Sequence, residues 1–247
     1  MIISATWEWL IDGSHWTGAD GIAHRIEQHL IYTLITLLIA AVIALPLGSW
    51  IAHTGHGRWI VSIANALRAI PSLGLLCVIG MWASGRISGD LALTGPSIVV
   101  LVILAIPPVL AGAYSGVSEV DPAARDAAKG MGMTGAQVFG KVELPCALPL
   151  VFSGLRSACL QVIATATIAA FLGIGGLGRY LIDGQASGQY EVMIGGSVLV
   201  AALALVIDLL FGLVQRYVVS PGLTGRRTRT RSTGTIDPTA EPEEAVA

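Results

Sequence analysis

Several long apolar runs constrain the fold of this chain more than any other feature. Each run holds about 20 residues or more, which is enough to cross about 30 Å of hydrocarbon as an α-helix. Backbone polar groups inside a bilayer must be satisfied within the chain, and the runs lack the alternation of barrel strands, so helices are expected. The sequence therefore predicts an all-α polytopic membrane protein. Its spans are expected at about 29–52, 58–83, 91–114, 147–172 and 191–217.

The composition agrees with a membrane protein. Only 12% of the 247 residues are charged and the mean hydropathy is +0.74, whereas soluble domains have roughly 25% charged residues. The formal net charge of −2 gives no reason to expect a nucleic-acid partner. Cys77, Cys146 and Cys159 lack the spacing of metal ligands and are interpreted as small core residues.

The distribution of Lys and Arg predicts the orientation of the spans, because cytoplasmic loops carry an excess of these residues. If the N-terminus lies outside, the outer segments contain only Arg25, Arg86 and Arg179. The inner segments then contain Arg58, Arg125, Lys129, Lys141, Arg216, Arg226, Arg227, Arg229 and Arg231. An external N-terminus and a cytoplasmic C-terminus are therefore expected, although the tail arginines supply much of this difference.

Two polar segments flank the membrane domain, which is assigned to residues 28–218. Residues 1–27 are expected to lie outside, with Trp7, Trp9 and Trp16 at the headgroup level in an interfacial helix. A disordered leader is the alternative. Residues 219–247 carry arginines and then acidic residues with no apolar period, which predicts a disordered cytoplasmic tail.

Helix breakers occur inside several of the predicted spans. Pro46, Pro71 and the Pro107-Pro108 pair should kink their helices. Such kinks are tolerated where neighbouring helices or a water-filled cavity satisfy the freed carbonyls, which favours a transport path over an inert anchor. Gly112 and Gly116 form a GxxxG pair that indicates close helix packing.

The inner loop 115–146 contains signals for two short helices. Asp121 is placed to cap the first helix, and Pro122 then occupies its first position. Gly130 and Gly132 can end that helix in a left-handed conformation.

A second short helix follows at once, because Thr134 and Gln137 have the spacing of a capping box. The two helices would form a compact knob with an apolar tip at residues 130–133 and a charged flank of Arg125, Asp126 and Lys129. Methionines at the tip would adapt to an irregular partner surface. The alternative is a solvated connector that folds on itself.

The same loop carries a family resemblance. The stretch Asp126-Ala127-Ala128-Lys129-Gly130-Met131-Gly132, with Glu143-Leu144-Pro145 further along, resembles the EAA loop of ABC importer permeases. Asp126 stands where that pattern usually has Glu. The resemblance implies that Arg125 to Gly132, with Leu144 and Pro145, form the coupling element that docks in a cleft of the ATPase subunit.

The resemblance also implies the fold, the partners and the location. The fold would be the type I (MetI-like) permease fold of about five transmembrane helices with a cytoplasmic coupling helix-turn-helix. The partners would be an ATP-binding subunit, a second permease copy or paralogue, and an extracytoplasmic solute-binding protein, all at a bacterial inner membrane. The chain has no P-loop pattern, so it is expected to be no enzyme and to bind no cofactor or metal, with ATP and Mg on the partner subunit.

Further segments are similar to permeases of osmoprotectant importers for glycine betaine, carnitine or choline. They are residues 69–73, 121–122, 130–134, 154–156, 169–173 and 175–178. Gly112-Ala113 stands where that group often has Asn-Thr. A permease for methionine or another amino acid is the alternative within the class. An ATPase-independent secondary transporter or channel, or a membrane scaffold, is the alternative outside it.

Residues that could line a solute path are polar residues or helix breakers within the spans. Arg68 should face the protein interior or water, as a path residue or in an ion pair for which Asp208 is the first acid to test. Arg156 is expected near the inner interface, bracing the loop. A packed turn or hinge near an outer gate is expected at Gly175 and Gly176, with a flexible turn as the alternative. The remaining path residues are Asn65, Pro71, Gln161, Thr165 and Thr167, for which hydrogen bonding between helices is the alternative role.

Overall fold

The computed structural model describes residues 2–84, 86, 89 and 91–219, and most of them lie in helices. The helices are α1 Ile2–Ile11, α2 Ile22–Thr54, α3 Arg58–Leu67, α4 Ser72–Ser84, α5 Leu91–Ser118, α6 Pro122–Gly130, α7 Gly135–Val138, α8 Leu144–Ala169, α9 Gly178–Ser187 and α10 Tyr190–Val218. Short 3-10 turns cover Gly13–Trp16 and Ala170–Leu172, and a π-helical turn covers Phe139–Glu143. Apart from Val219, the predicted tail lies outside the described residues.

Within these described ranges, four helical segments are long and apolar enough to cross a membrane. They are Ile22–Thr54, Thr94–Ser118, Gly135–Leu172 and Tyr190–Val218. They correspond to the first, third, fourth and fifth predicted spans. The first begins seven residues before its predicted start, and the fourth is longer because α7 and the π-helical turn continue into α8.

The predicted second span, 58–83, is a pair of helices rather than one helix. The segments Arg58–Leu67 and Ser72–Ala83 meet at an angle of 91°. Pro71 explains part of the break, because it has no N–H to donate and disfavours helical backbone at the residue before it. With this pair counted as one broken span, the described residues contain five segments that could cross a membrane, the expected number.

The core lies where α5 packs between α2 and α8. An ideal Cβ on Gly112 would lie 2.7 Å from the Cα of Gly154, and one on Gly116 would lie 2.8 Å from the carbonyl oxygen of Ala147. The GxxxG pair of α5 is therefore a close-packing surface against α8, as predicted. Gly112 has no room for a side chain against α8. The completely buried Ala113 packs against α2 instead, because an ideal Cβ on Gly48 would lie 2.9 Å from the Ala113 Cβ.

The N-terminal segment is helical and packs against the end of the bundle that is remote from α6. The Trp9 ring lies over Gly195 of α10, where an ideal Cβ would come within 2.6 Å of it, and it meets the Tyr180 ring edge-on at 5.2 Å. Burial raises the pKa of the Tyr180 phenol, which donates a hydrogen bond to the carbonyl of Asp20. Trp7 is 64% exposed, so it fits the predicted interfacial position better than Trp9 does.

Apolar side chains also cover the outer faces of two spans. On α10 the exposed ones include Val198, Leu205, Val206, Leu209, Leu210, Leu213 and Val214. On α2 they include Ile31, Leu34, Ile35, Leu38, Val42 and Ile43. These faces suit contact with lipid hydrocarbon.

Candidate functional site

The loop between α5 and α8 adopts the two capped helices that the sequence predicts. The carboxylate of Asp121 accepts a hydrogen bond from the backbone N–H of Ala123 at 2.9 Å and so caps α6. Thr134 and Gln137 form the reciprocal capping box at the start of α7. Local hydrogen bonding fixes both helix starts, which is why they could be predicted from sequence.

The tip of the loop is a left-handed turn with exposed methionine. Gly132 has a φ of 83°. Its N–H donates to the Lys129 carbonyl, and the N–H of Met133 donates to the Ala128 carbonyl. This is the Schellman pattern, in which the residue after the helix is usually glycine. Met131 is 72% exposed at the tip.

The charged flank expected on α6 is divided between two faces. Asp126 and Lys129 are exposed, with Ala127 and Gly130 beside them, but Arg125 is turned towards the bundle. Ala128 is buried beneath the helix. Arg125 is therefore not part of the exposed flank, because a buried carboxylate behind α6 attracts its guanidinium.

That carboxylate belongs to Glu143, whose side chain is 3% exposed. Nε of Arg125 lies 3.0 Å from Oε1 of Glu143. The Nε–H does not form a directed hydrogen bond, so we describe this contact as an ion pair. Nδ1 of His53, in the last turn of α2, lies 2.6 Å from Oε2 of the same carboxylate. We call Arg125, Glu143 and His53 the charged junction.

The π-helical turn carries Glu143 into this position. The N–H of Leu144 bonds to the Phe139 carbonyl, five residues back, and Pro145 has no N–H with which to continue an α-helical pattern. Leu144 and Pro145 themselves are exposed. Sequence reasoning did not identify His53 and did not assign Glu143 a role. The one available signal was that Glu143 is an acidic residue directly before an apolar run.

The path residues predicted on the second span are at or near its break. Asn65 in α3 and Arg68 directly after it are exposed, whereas Ala64 is buried against α2, α5 and α8. Pro71, also exposed, lies just before α4. None of these three residues is buried within this chain.

The path residues predicted on α8 form hydrogen bonds within the bundle. The Gln161 amide donates to the carbonyl of Leu104 on α5 at 3.0 Å. The hydroxyls of Thr165 and Thr167 donate to carbonyls four residues back in α8. The hydrogen bonds that these three side chains donate go to backbone carbonyls of α5 and α8, not to Asn65 or Arg68.

The turn at Gly175 and Gly176 is packed rather than open. The N–H of Gly176 donates to Oε1 of Gln28 at 2.9 Å, and an ideal Cβ on Gly175 would lie 2.1 Å from the same oxygen. His29, 1% exposed, contacts the Ile163 carbonyl through Nε2 at 3.0 Å. The start of α2 therefore holds this turn against the bundle.

Asp208 pairs with Arg156, so the pairing suggested for Arg68 is wrong, as is the expectation that Arg156 braces the loop. Nε of Arg156 donates to Oδ1 of Asp208 at 2.5 Å, and its Nη2 donates to Oδ2. The reason is helix adjacency. Arg156 and Asp208 lie on α8 and α10, which pack together, whereas α3 packs against α5.

The fold and the loop define the class: a polytopic membrane subunit with a capped helix-turn-helix at one end. Residues 44–220 match the family described as "Binding-protein-dependent transport system inner membrane component", and the chain belongs to this family. It is a permease subunit of an ABC importer, as the EAA-type loop predicted.

Two relatives illustrate the sequence similarity. The chain is 32% identical over 213 residues to the glycine betaine/carnitine/choline transport system permease protein OpuCB of Bacillus subtilis, covering 85% of this chain and 94% of that protein. It is 30% identical over 208 residues to the osmoprotectant import permease protein OsmW of Salmonella typhimurium, covering 83% and 95%. Family membership decides against a secondary transporter and against a scaffold.

Solved structures confirm the fold. A chain of the MetNI methionine ABC transporter, in an inward-facing form, has a TM-score of 0.70 at 24% identity, covering 80% of this chain and 96% of that one. A chain of an amino acid ABC transporter has a TM-score of 0.61 at 21% identity, covering 79% and 91%. The predicted MetI-like, all-α fold is therefore confirmed.

Proposed function

We propose that this permease imports quaternary ammonium osmoprotectants of the glycine betaine, carnitine and choline class. The observation that carries the proposal is the 32% identity to a permease of that substrate class over 85% of this chain. The fold by itself does not favour this class, because chains of a methionine and an amino acid transporter share it. Import of methionine or another amino acid is therefore the competing assignment.

The energy source in this proposal is ATP bound with Mg on a separate subunit, into which the 121–145 loop docks. Exposed Met131 and the left-handed Gly132 support this role, because an adaptable apolar tip on a tight turn can fill a cleft in a partner. The complete importer would also contain a second copy or a paralogue of this permease and a solute-binding protein. ATP-driven movement of the docked loops would alternate access to the solute path.

Uptake into liposomes tests the substrate and the energy source together. The permease would be reconstituted with its ATP-binding subunit and binding protein, and accumulation of labelled glycine betaine and choline would be measured with internal ATP. We expect uptake that needs both ATP and the ATP-binding subunit and that excess methionine does not inhibit. The proposal would be contradicted by uptake without that subunit. It would also be contradicted if methionine inhibited the uptake of labelled glycine betaine and choline.

The proposed orientation in the bacterial inner membrane has α6 in the cytoplasm and the N-terminal segment outside. The nine-to-three distribution of Lys and Arg supports it. In a variant without native cysteines, Lys129→Cys should be protected from a membrane-impermeant maleimide in intact cells, and Ser14→Cys should react. Both side chains are exposed, so accessibility within the fold does not distinguish them. The opposite labelling pattern would place the loop outside and overturn the docking model.

A further inference from the structure

We propose that the charged junction transmits the movement of α6 to three transmembrane helices at once. This inference rests on the proposed function, because it assigns a task to side chains behind a loop that docks on an ATPase. Arg125, Glu143 and His53 act here as positioning residues. The proposal assigns them no contact with the solute or with ATP.

Arg125 connects α6 to the end of α5. Its Nη2 donates a hydrogen bond to the carbonyl of Val117, in the last turn of α5. This carbonyl also accepts the N–H of Val120, beyond the end of α5, and a carbonyl oxygen has a second lone pair for the guanidinium. The ion pair of the same guanidinium with Glu143 extends the connection to the segment that leads into α8.

His53 extends the connection to α2. It lies 90 residues from Glu143 in the sequence, yet its Nδ1 is 2.6 Å from Oε2. The rings of Phe139 and His53 also form a T-shaped pair, with centroids 5.5 Å apart. Each carboxylate oxygen of Glu143 therefore holds a different helix: Oε1 holds α6 and Oε2 holds α2.

Burial indicates a positional role for this contact. Glu143 is 2% exposed, and burying a carboxylate costs free energy that ion pairing only partly returns. Replacing a whole buried ion pair by well-packed apolar residues is often neutral or stabilising, so stability alone does not require the Arg125–Glu143 pair. The π-helical turn that presents Glu143 also indicates a functional role, since such turns occur frequently at functional sites.

The connection matters because the backbone of α6 joins the bundle through short segments. Residues 119–121 precede it and the glycine-containing tip follows it. A displacement of α6 would reach α5 and α8 along the backbone, but α2 precedes α6 by 67 residues and is reached only through side chains or packing. Removing the junction should therefore leave docking intact and weaken the coupling between ATP hydrolysis and movement of the bundle.

The test compares transport with ATP hydrolysis in the reconstituted importer. In Glu143→Gln, we expect the ATP-binding subunit to co-purify and ATP hydrolysis to continue, with solute transported per ATP falling at least about fivefold, the low end of typical coupling factors. Glu143→Asp keeps the charge and should recover part of that loss. Asp183→Asn is the matched control: it removes the exposed carboxylate of the Arg179–Asp183 pair on α9 and should leave the ratio unchanged.

His53→Gln is a second variant, because its side chain is 32% exposed and its loss leaves the Arg125–Glu143 pair in place. We expect the same loss of coupling, and the double variant with Glu143→Gln should lose no more than the larger single effect. If either variant transports as much solute per ATP as the wild-type importer, the coupling role of the charged junction is refuted. The proposed function would still stand, because the unmodified importer transports solute in the same assay. An unmodified importer that fails to transport would overturn the proposed function and this inference with it.

Discussion

Gly112→Val is expected to prevent the folded helix bundle from accumulating. An ideal Cβ at this position would lie 2.7 Å from the Cα of Gly154 and 2.8 Å from the carbonyl oxygen of Leu150. Both are backbone atoms, so a rotamer change cannot relieve the clash, and α5 and α8 would have to separate. Overpacking typically costs about 1–3 kcal/mol, and a clash of backbone with backbone belongs at or above the upper end. Detergent-solubilised protein should show almost no monodisperse peak in size-exclusion chromatography.

Gly212→Val is the matched control, because it makes the same change in another span. Gly212 lies in α10 and has no atom within 4 Å of its ideal Cβ. This variant should accumulate like the wild-type protein and unfold at a similar temperature. Equal yields of the two variants would show that the close approach of α5 and α8 does not limit folding.

Gly132→Val is expected to abolish co-purification of the ATP-binding subunit while leaving the permease folded. Its φ of 83° lies in the left-handed region, which costs an ordinary residue roughly 1–2 kcal/mol and a β-branched one more. The Cβ itself would meet no atom, so the strain is confined to the exposed tip. The loop would relieve it by changing the turn, and the apolar tip would lose its shape. Co-purification from membranes after co-expression measures the effect.

Gly132→Asn is the control for Gly132→Val. Asparagine tolerates the left-handed conformation, so this variant should retain most of the ATP-binding subunit. If the valine variant still binds that subunit at the wild-type level, the tip is not the docking surface. If both variants lose it equally, side-chain bulk rather than backbone conformation decides docking.

Local chemistry made the loop predictable. The capping residues act on backbone groups within three residues of themselves, so their spacing in the sequence is enough to predict their contacts. They are Asp121, Pro122, Thr134 and Gln137. The same reasoning offered Gly130 and Gly132 for the left-handed end of α6, and the structure has that conformation at Gly132. The positions of the spans were predictable for a similar reason, since crossing a bilayer is a requirement on length and polarity.

Predictions that depended on helix neighbours were less successful. Arg68 and Asp208 are both ionisable residues within predicted spans, which suggested a pair, yet Asp208 is held by Arg156 across the α8–α10 contact. Depth along a helix can be counted from sequence, but the identity of the facing helix cannot. The inward turn of Arg125 was missed for the same reason, because its partner Glu143 belongs to another segment.

The sequence alone determined that this chain crosses a membrane as helices and carries a capped helix-turn-helix of the EAA type. Both follow from contacts or requirements within one segment. Only the tertiary structure decided that the second span breaks through 91°, that Gly112 meets Gly154, and that His53 and Arg125 share one buried carboxylate. These features join residues from different helices, and the packing of the whole bundle sets which of them meet.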